Sequence, residues 1–212
     1  MISRRRGSVG AALACLMVAS GLVLASGAQV PAEERPSEQQ ILNALKPAAR
    51  TRGLTSTPQN VEQQRFIDSL RAVKTRSLTT AEREKVATIV KEKPSIDLEV
   101  YFDFDSAAIT PRAVPDLDNL GRALSNPELR GGVFLVGGHA DAKGTAEYNQ
   151  GLSERRAQAV KRFLIQKFRL PDDSLVTAGY GKEQLKNRSD PFAAENRRVQ
   201  IVNLEATQKA QR

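Results

Sequence analysis

The spacing of hydrophobic residues beyond residue 96 predicts strands that alternate with helices. Residues 97–102 alternate between polar and apolar positions, which is typical of a strand with one buried face. Between Pro111 and Asn126, leucines recur every three or four residues and predict a helix with one apolar side. Residues 132–136 form a short apolar run that ends at a glycine pair, which favours a buried strand.

The remaining pattern predicts a long helix and two more strands. The helix should extend from about Thr145 to Phe168, with an apolar side made of Tyr148, Leu152, Val160, Phe163 and Leu164. Residues 175–178 and 198–204 predict two further strands. The order β-α-β-α-β-β over residues 97–204 predicts an α/β fold, an α+β sandwich whose mixed sheet carries helices on one face.

Residues 29–95 differ in composition and predict a linker that contains short helices. They hold five prolines and many Gln, Thr and Arg residues, with only brief apolar clusters. Within this linker, Thr79 and Glu82 form a capping box that should begin a helix, and Pro94 should end it.

A short unit occurs twice in this linker, about 24 residues apart. Residues 39–46 (QQILNALK) resemble residues 63–71 (QQRFIDSLR), and each copy is followed by a basic segment that ends in Leu-Thr. Two copies are too few for a solenoid. We favour a duplicated amphipathic stub within a spacer; the alternative is a bivalent docking motif for a partner such as an outer-membrane protein.

Residues 1–28 have the layout of a secretory signal peptide. Arg4-Arg5-Arg6 gives a positive start, residues 9–25 are apolar, and Ser26-Gly27-Ala28 offers small residues to a signal peptidase. Two alternatives are weaker. One is lipidation at Cys15, which lacks the leucine that a lipobox normally has three places earlier, and the other is retention of residues 7–28 as a membrane anchor.

Composition argues against most kinds of catalytic site. His139 is the one histidine and Cys15 the one cysteine, so no zinc site of several His or Cys ligands can form after residues 1–28 are removed. His139 sits beside a glycine pair, where a structural role is more typical than a place in a Ser-His-Asp triad. We therefore expect a non-enzyme without cofactor or metal. The net charge of +8 favours polyanions, but scattered basic residues and an aromatic content of 5% argue against nucleic acid.

Four ordered motifs lie within residues 97–204. The longest comprises Gly138-His139-Ala140-Asp141, Gly144, Tyr148-Asn149, Leu152-Ser153 and Arg155-Arg156-Ala157. It is preceded by residues 102–106 (FDFDS) and followed by residues 179–181 (GYG) and 196–199 (NRRV). In this order the motifs resemble the OmpA-like family, the C-terminal domains of OmpA, Pal and MotB. The main departure is Ala140, where that family often has Thr.

The resemblance implies non-covalent binding of peptidoglycan through the diaminopimelate of its stem peptide. Asp141 would bind the ammonium group and Arg156 the carboxylate, since a guanidinium can hold a carboxylate through two hydrogen bonds. Supporting polar contacts are implied for Asp105, Asn149 and Arg197, and a pocket wall for Phe104 and Leu152.

The start of the long helix decides how Asp141 and Arg156 could meet. A helix that begins at Thr145 places Arg156 about 16 Å along its axis, so the loop that carries Asp141 would have to fold back along the helix. Alternatively, the helix begins near Ser153, a good N-cap residue. The sequence leaves both possibilities open.

The implied function is anchoring of the cell envelope or outer membrane to the cell wall by a periplasmic protein of a Gram-negative cell. Its parts would be a signal peptide (1–28), a linker (29–95), the binding domain (97–204) and a tail (205–212). The alternative is a MotB-like inner-membrane stator or anchor that keeps residues 7–28 as a transmembrane helix. Such helices carry an ionisable residue, and residues 7–28 contain none, which argues against it.

Overall fold

The computed structural model describes residues 35–47, 58–72, 77–103 and 105–205. The predicted signal peptide and nearly all of the predicted tail lie outside these residues. Within the described ranges, no helix combines the length and the apolar character that crossing a bilayer requires.

Four strands of the described residues form one mixed sheet: β1 (Ser95–Leu98), β2 (Phe134–Gly138), β3 (Leu175–Gly179) and β4 (Val199–Asn203). Their order across the sheet is β1-β4-β2-β3. β2 and β3 run parallel, whereas β4 runs antiparallel to both β1 and β2. The predicted mixed sheet and its β-α-β-α-β-β order are confirmed.

The first strand is shorter than its alternating pattern predicts. It ends at Leu98 instead of continuing to Phe102, because the amide of Val100 donates to the carbonyl of Leu98 and so turns the chain out of the ladder. Phe102 therefore lies in the loop after β1, where it contacts a residue of the candidate site described below.

In the described part of the chain, five α-helices accompany the sheet: α1 (Glu38–Leu45), α2 (Pro58–Arg71), α3 (Thr80–Val90), α4 (Val114–Ser125) and α5 (Ala146–Phe168). The Thr79–Glu82 capping box at the start of α3 is confirmed in both of its hydrogen bonds. The helix ends at Val90, before Pro94. The long helix α5 is confirmed as well, with the Thr145 hydroxyl accepting a hydrogen bond from the amide of Tyr148.

Helices pack on both faces of the sheet. α1, α4 and α5 cover the face to which β2 contributes Phe134 and Val136, while α2 and α3 cover the face of Leu135. Because side chains alternate along a strand, an apolar run such as residues 133–136 is hydrophobic on both sides and both sides need cover. The prediction of helices on one face thus holds for α4 and α5, and the second face is covered by helices from the predicted linker segment.

The duplicated unit forms α1 and α2, and its two copies lie on opposite faces of the sheet. Leu42 and Leu45 of the first copy are buried in one core, and Ile67 and Leu70 of the second copy are buried in the other. The carbonyl of Leu45 also accepts a hydrogen bond from the Asn203 amide group. Since the apolar side chains of both copies are used within the fold, a docking partner would have to bind their polar sides.

This arrangement predicts that the two copies stabilise the domain to a similar degree. Leu45→Ala and Leu70→Ala should each lower the free energy of unfolding by about 2–5 kcal/mol, because each leaves a cavity between a helix and the sheet. Val61→Ala, on the exposed side of α2, should change it by no more than about 0.5 kcal/mol. Urea unfolding of residues 29–212 measures the free energy of unfolding of all three variants. A negligible change in either leucine variant would contradict this packing.

Candidate functional site

The candidate site lies where the parallel strands β2 and β3 end beside α5. A Cβ atom added at Gly138 would lie 2.1 Å from the carbonyl oxygen of Ser153, and one at Gly179 would lie 2.7 Å from the Ser153 hydroxyl. Only residues without a side chain permit so close an approach of strand to helix. The two glycines thus set the middle of α5 directly against the ends of both strands.

The loop of residues 139–145 folds back from this contact to the start of α5. Asn149 holds it there: its amide group donates to the carbonyl of Lys143 at 2.8 Å and to that of Asp141 at 3.4 Å. Gly144, at φ +94°, makes the left-handed turn that leads into the helix. Because α5 begins at Ala146, the alternative start near Ser153 is wrong, and the loop of Asp141 does run back along the helix.

Asp141 is held at both carboxylate oxygens. Its Oδ1 accepts a hydrogen bond from the amide of Lys143 at 3.1 Å, an Asx-turn contact that fixes the side chain to its own loop. Its Oδ2 pairs with the Arg197 guanidinium at 2.8 Å. The Asp141 side chain is 15% exposed and that of Arg197 is 47% exposed, so the pair lies at the surface.

Arg156 is buried, with 8% of its surface exposed. Its Nε donates to the carbonyl of Ser106 at 3.0 Å and its Nη2 to that of Asp103 at 3.4 Å. The Phe102 ring lies 4.9 Å from the guanidinium carbon, as in a cation–π contact. No carboxylate of the described residues forms an ion pair with Arg156, so this buried cation has carbonyl and aromatic neighbours but no counter-ion in direct contact.

The charges of the cluster act on one another. Burial lowers the pKa of Arg156; among its neighbours, Tyr148 and Asp141 raise this pKa, and Arg197 lowers it. Arginine remains protonated even so. The fold therefore brings Asp141, Arg156 and Arg197 into one electrostatic neighbourhood.

Asp105 joins this cluster through Tyr148, whose hydroxyl donates to the Asp105 carboxylate. That hydrogen bond raises the pKa of Tyr148. Asp105 has a left-handed backbone, φ +52°, which aspartate tolerates better than most residues. The prediction that Tyr148 lies on the apolar side of the helix is wrong: the side chain is 41% exposed, because a phenol in the first turn of α5 finds a carboxylate across the loop.

The other predicted site residues have different positions. Asn149 and Leu152 are buried, and the amide group of Asn149 donates to the loop backbone. These two residues therefore support the site from the interior of the fold. Phe104 lies outside the described residues. Sequence reasoning did not assign Tyr148 or Phe102 to the site. Both residues lie inside the quoted motifs, and this position was the one available indication of a role.

His139 lies beneath the site in the interior. Its ring is buried and stacks on Tyr180, with ring centroids 5.1 Å apart. Burial, assisted by the charge of Arg198, lowers the pKa of His139 to about 3. The ring is therefore neutral and enclosed, which agrees with the structural role expected of it. Across the described ranges, no group of three or more His, Cys, Asp or Glu side chains could hold a metal ion.

Comparison with known proteins identifies the domain that carries this cluster. The model of the OmpA family matches residues 101–198, which include every residue of the cluster. Those residues form an OmpA-family domain. The family predicted from the motifs is confirmed.

Two curated relatives illustrate the similarity of this OmpA-like domain. Outer membrane protein A of Escherichia fergusonii is 42% identical over 84 residues, which cover 40% of this chain and 34% of that protein. The peptidoglycan-associated lipoprotein of Pseudomonas aeruginosa is 37% identical over 103 residues, covering 48% of this chain and 59% of that protein. The matches to the OmpA proteins thus span about a quarter to a third of their length.

A solved structure is also similar to part of this chain. The peptidoglycan-associated lipoprotein of Burkholderia pseudomallei is 31% identical, with a TM-score of 0.41; the alignment covers 54% of this chain and 92% of that one.

The burial of His139 predicts a pH dependence of stability in the OmpA-like domain. The folded pKa of about 3 lies below the unfolded value of about 6.5, so the unfolded chain binds a proton that the folded chain does not. The stabilising contribution is therefore full above about pH 6.5 and declines as the pH falls toward 3.

His139→Gln should remove this pH-dependent part of the stability. Between about pH 6 and pH 4, the free energy of unfolding of the variant should fall less steeply than that of the wild type, by up to about 1.4 kcal/mol per pH unit. Urea unfolding at several pH values measures both slopes, and parallel slopes would show that His139 is not held neutral by the fold.

Proposed function

We propose that the OmpA-like domain binds peptidoglycan non-covalently by gripping diaminopimelate of the stem peptide, and so anchors the cell envelope to the wall. The observation that carries this proposal is Arg156, a buried guanidinium that pairs with no carboxylate of the described residues and feels the charges of the Asp141–Arg197 ion pair. Diaminopimelate carries an ammonium and a carboxylate on a short side chain, and these groups complement such a cluster.

The relatives support this proposal through their names. One is called a peptidoglycan-associated lipoprotein and another outer membrane protein A. We accordingly propose a periplasmic location, in contact with the wall or outer membrane, reached by export through residues 1–28. In this proposal the site binds its ligand and does not transform it.

Electrostatics favour a carboxylate at Arg156. Arginine carries five N–H donors, and the carbonyls of Ser106 and Asp103 engage only two of them in the described residues. A buried cation that lacks a counter-ion is costly to the fold. A ligand carboxylate that completes the hydrogen bonds of this guanidinium would remove that cost and bind through charge-assisted contacts.

The ammonium group of the ligand would bind Asp141. This carboxylate is already oriented by the Lys143 amide, so little further ordering is needed when the ligand arrives. Arg197 is partly exposed and pairs with Asp141 in the ligand-free domain. When the ligand binds, the Arg197 side chain would turn from Asp141 to pair with the ligand carboxylate. In this proposal Asn149 and Leu152 act as supports, while Asp105 contributes through Tyr148.

Asp141→Asn tests the ammonium contact. Asparagine can still accept the hydrogen bond from the Lys143 amide, so the loop should keep its shape while the charge is lost. Binding to purified sacculi should weaken about thirtyfold or more, since losing one partner of such a pair costs about 2–5 kcal/mol. Asp173→Asn, which removes an exposed carboxylate beyond the far end of α5, is the matched control and should bind like wild type. Wild-type affinity of Asp141→Asn would refute the site.

Arg156→Gln tests the carboxylate contact. The wild type should bind a stem peptide with diaminopimelate about thirtyfold more tightly than one with lysine, which has the ammonium but lacks the second carboxylate. In Arg156→Gln this preference should fall to nearly one, whereas Arg188→Gln, which loses an exposed arginine, should retain it. Isothermal titration calorimetry measures the ratio. A preference that survives in Arg156→Gln would exclude Arg156 as the carboxylate ligand.

A further inference from the structure

Three exposed aromatic residues lie on segments next to the candidate site. Among the described residues, the large hydrophobic side chains that are exposed are Val61, Tyr101, Tyr148 and Phe192. Three of these four are aromatic, and all three lie on segments that border the Asp141–Arg156 cluster. Phe192 is the most exposed of them, at 63%, and has no part in the contacts described so far.

A rigid support holds Phe192 in this position. Asn196 is fully buried, and its amide group donates to the carbonyls of Asn187 at 3.1 Å and Asp190 at 3.0 Å. The carboxylate of Asp190 in turn accepts a hydrogen bond from the amide of Phe192 at 3.1 Å. This network fixes the backbone at Phe192, so the ring leaves the surface from a defined point.

Phe192 also lies next to the residue that should bind the ammonium group. The carbonyl of Pro191 accepts a hydrogen bond from the amide of Ala142 at 2.9 Å. Phe192 directly follows Pro191, and Asp141 directly precedes Ala142. The hydrogen bond between Pro191 and Ala142 therefore places the Phe192 ring on the order of 10 Å from the Asp141 carboxylate. Tyr148 borders the same loop on its helix side, since a Cβ atom at Gly144 would lie 3.5 Å from the Tyr148 ring.

We propose that the ring of Phe192 packs on a pyranose sugar of the peptidoglycan glycan strand, so that the domain recognises the sugar and the stem peptide together. This inference rests on the proposed function. One face of a pyranose chair presents mainly C–H groups, and such a face fits a flat aromatic ring whose π-face is electron-rich. Aromatic side chains are also the residues that most often contribute large shares of binding energy at interfaces.

The covalent structure of the ligand agrees with this spacing. Two amino acids and a lactyl ether separate diaminopimelate from the N-acetylmuramic acid to which the stem is attached. At about 3.3–3.6 Å per extended residue, this connection spans about 10 Å. A diaminopimelate side chain held at Asp141 and Arg156 thus leaves its sugar within reach of Phe192.

Two ligands that differ only by the sugars test this inference. The stem tripeptide L-Ala-γ-D-Glu-diaminopimelate and the same tripeptide attached to its disaccharide are titrated calorimetrically into the full mature chain. The wild type should bind the disaccharide form about three- to tenfold more tightly. Phe192→Ala should lose this preference and keep its affinity for the free tripeptide. Val61→Ala, which truncates an exposed apolar side chain on α2, is the matched control and should keep the preference.

The outcomes separate this inference from the proposed function. A preference that persists in Phe192→Ala, or an equal loss for both ligands, overturns the sugar contact while leaving the Asp141–Arg156 site intact. A loss of preference in Val61→Ala as well would show a non-specific effect of apolar surface and would also overturn it. Failure of the wild type to bind either ligand rejects the proposed function, and the sugar contact with it.

Discussion

A guanidinium held largely out of water is the feature around which this end of the domain is organised. Arg156 projects from the middle of α5 and donates to the carbonyl of Ser106, so the same side chain joins the helix to the loop after β1. The helix can lie this close to the strand ends only because Gly138 and Gly179 leave room for the Ser153 backbone and hydroxyl. The position of the Arg156 guanidinium is thus a product of backbone packing.

The two copies of the duplicated unit show how a repeat can cover the two faces of one sheet instead of forming an array. Both copies have the same amphipathic pattern, and the mixed sheet has two apolar faces, so each copy covers one face. Leu45 and Leu70 occupy corresponding positions of the repeat and are both buried, but against opposite sides of the strands. The predicted linker segment therefore contributes directly to the stability of the folded unit.

Much of the domain could be predicted from local patterns. A capping box predicted the start of α3, and apolar runs predicted β2 and β3, because both features depend on neighbours in sequence. The cover of the second sheet face could not be predicted, since helices rich in polar residues and prolines look like spacer until a partner surface is known. The exposure of Tyr148 depends on Asp105, 43 residues away, a contact that helical periodicity does not encode.

The residues of the candidate site were predicted by resemblance, whereas their mutual arrangement needed the fold. Spacing along the chain left the helix start open, and the Asn149 contacts with the loop carbonyls decided the path of the backbone. The pairing of Asp141 with Arg197 could not be predicted from spacing either, because the two residues lie on separate loops that meet only when β2 and β4 pair.

That pairing has a consequence for selectivity. A simple amine that approached Asp141 would exchange one cation for another and leave the Arg197 guanidinium without its partner, so it would gain little. A zwitterion brings a replacement anion with it, and the displaced guanidinium can then be neutralised in the same event. Under the proposed function, the ion pair of Asp141 with Arg197 would therefore disfavour a lone cation, such as a free polyamine or a metal ion, and favour a molecule that carries both charges.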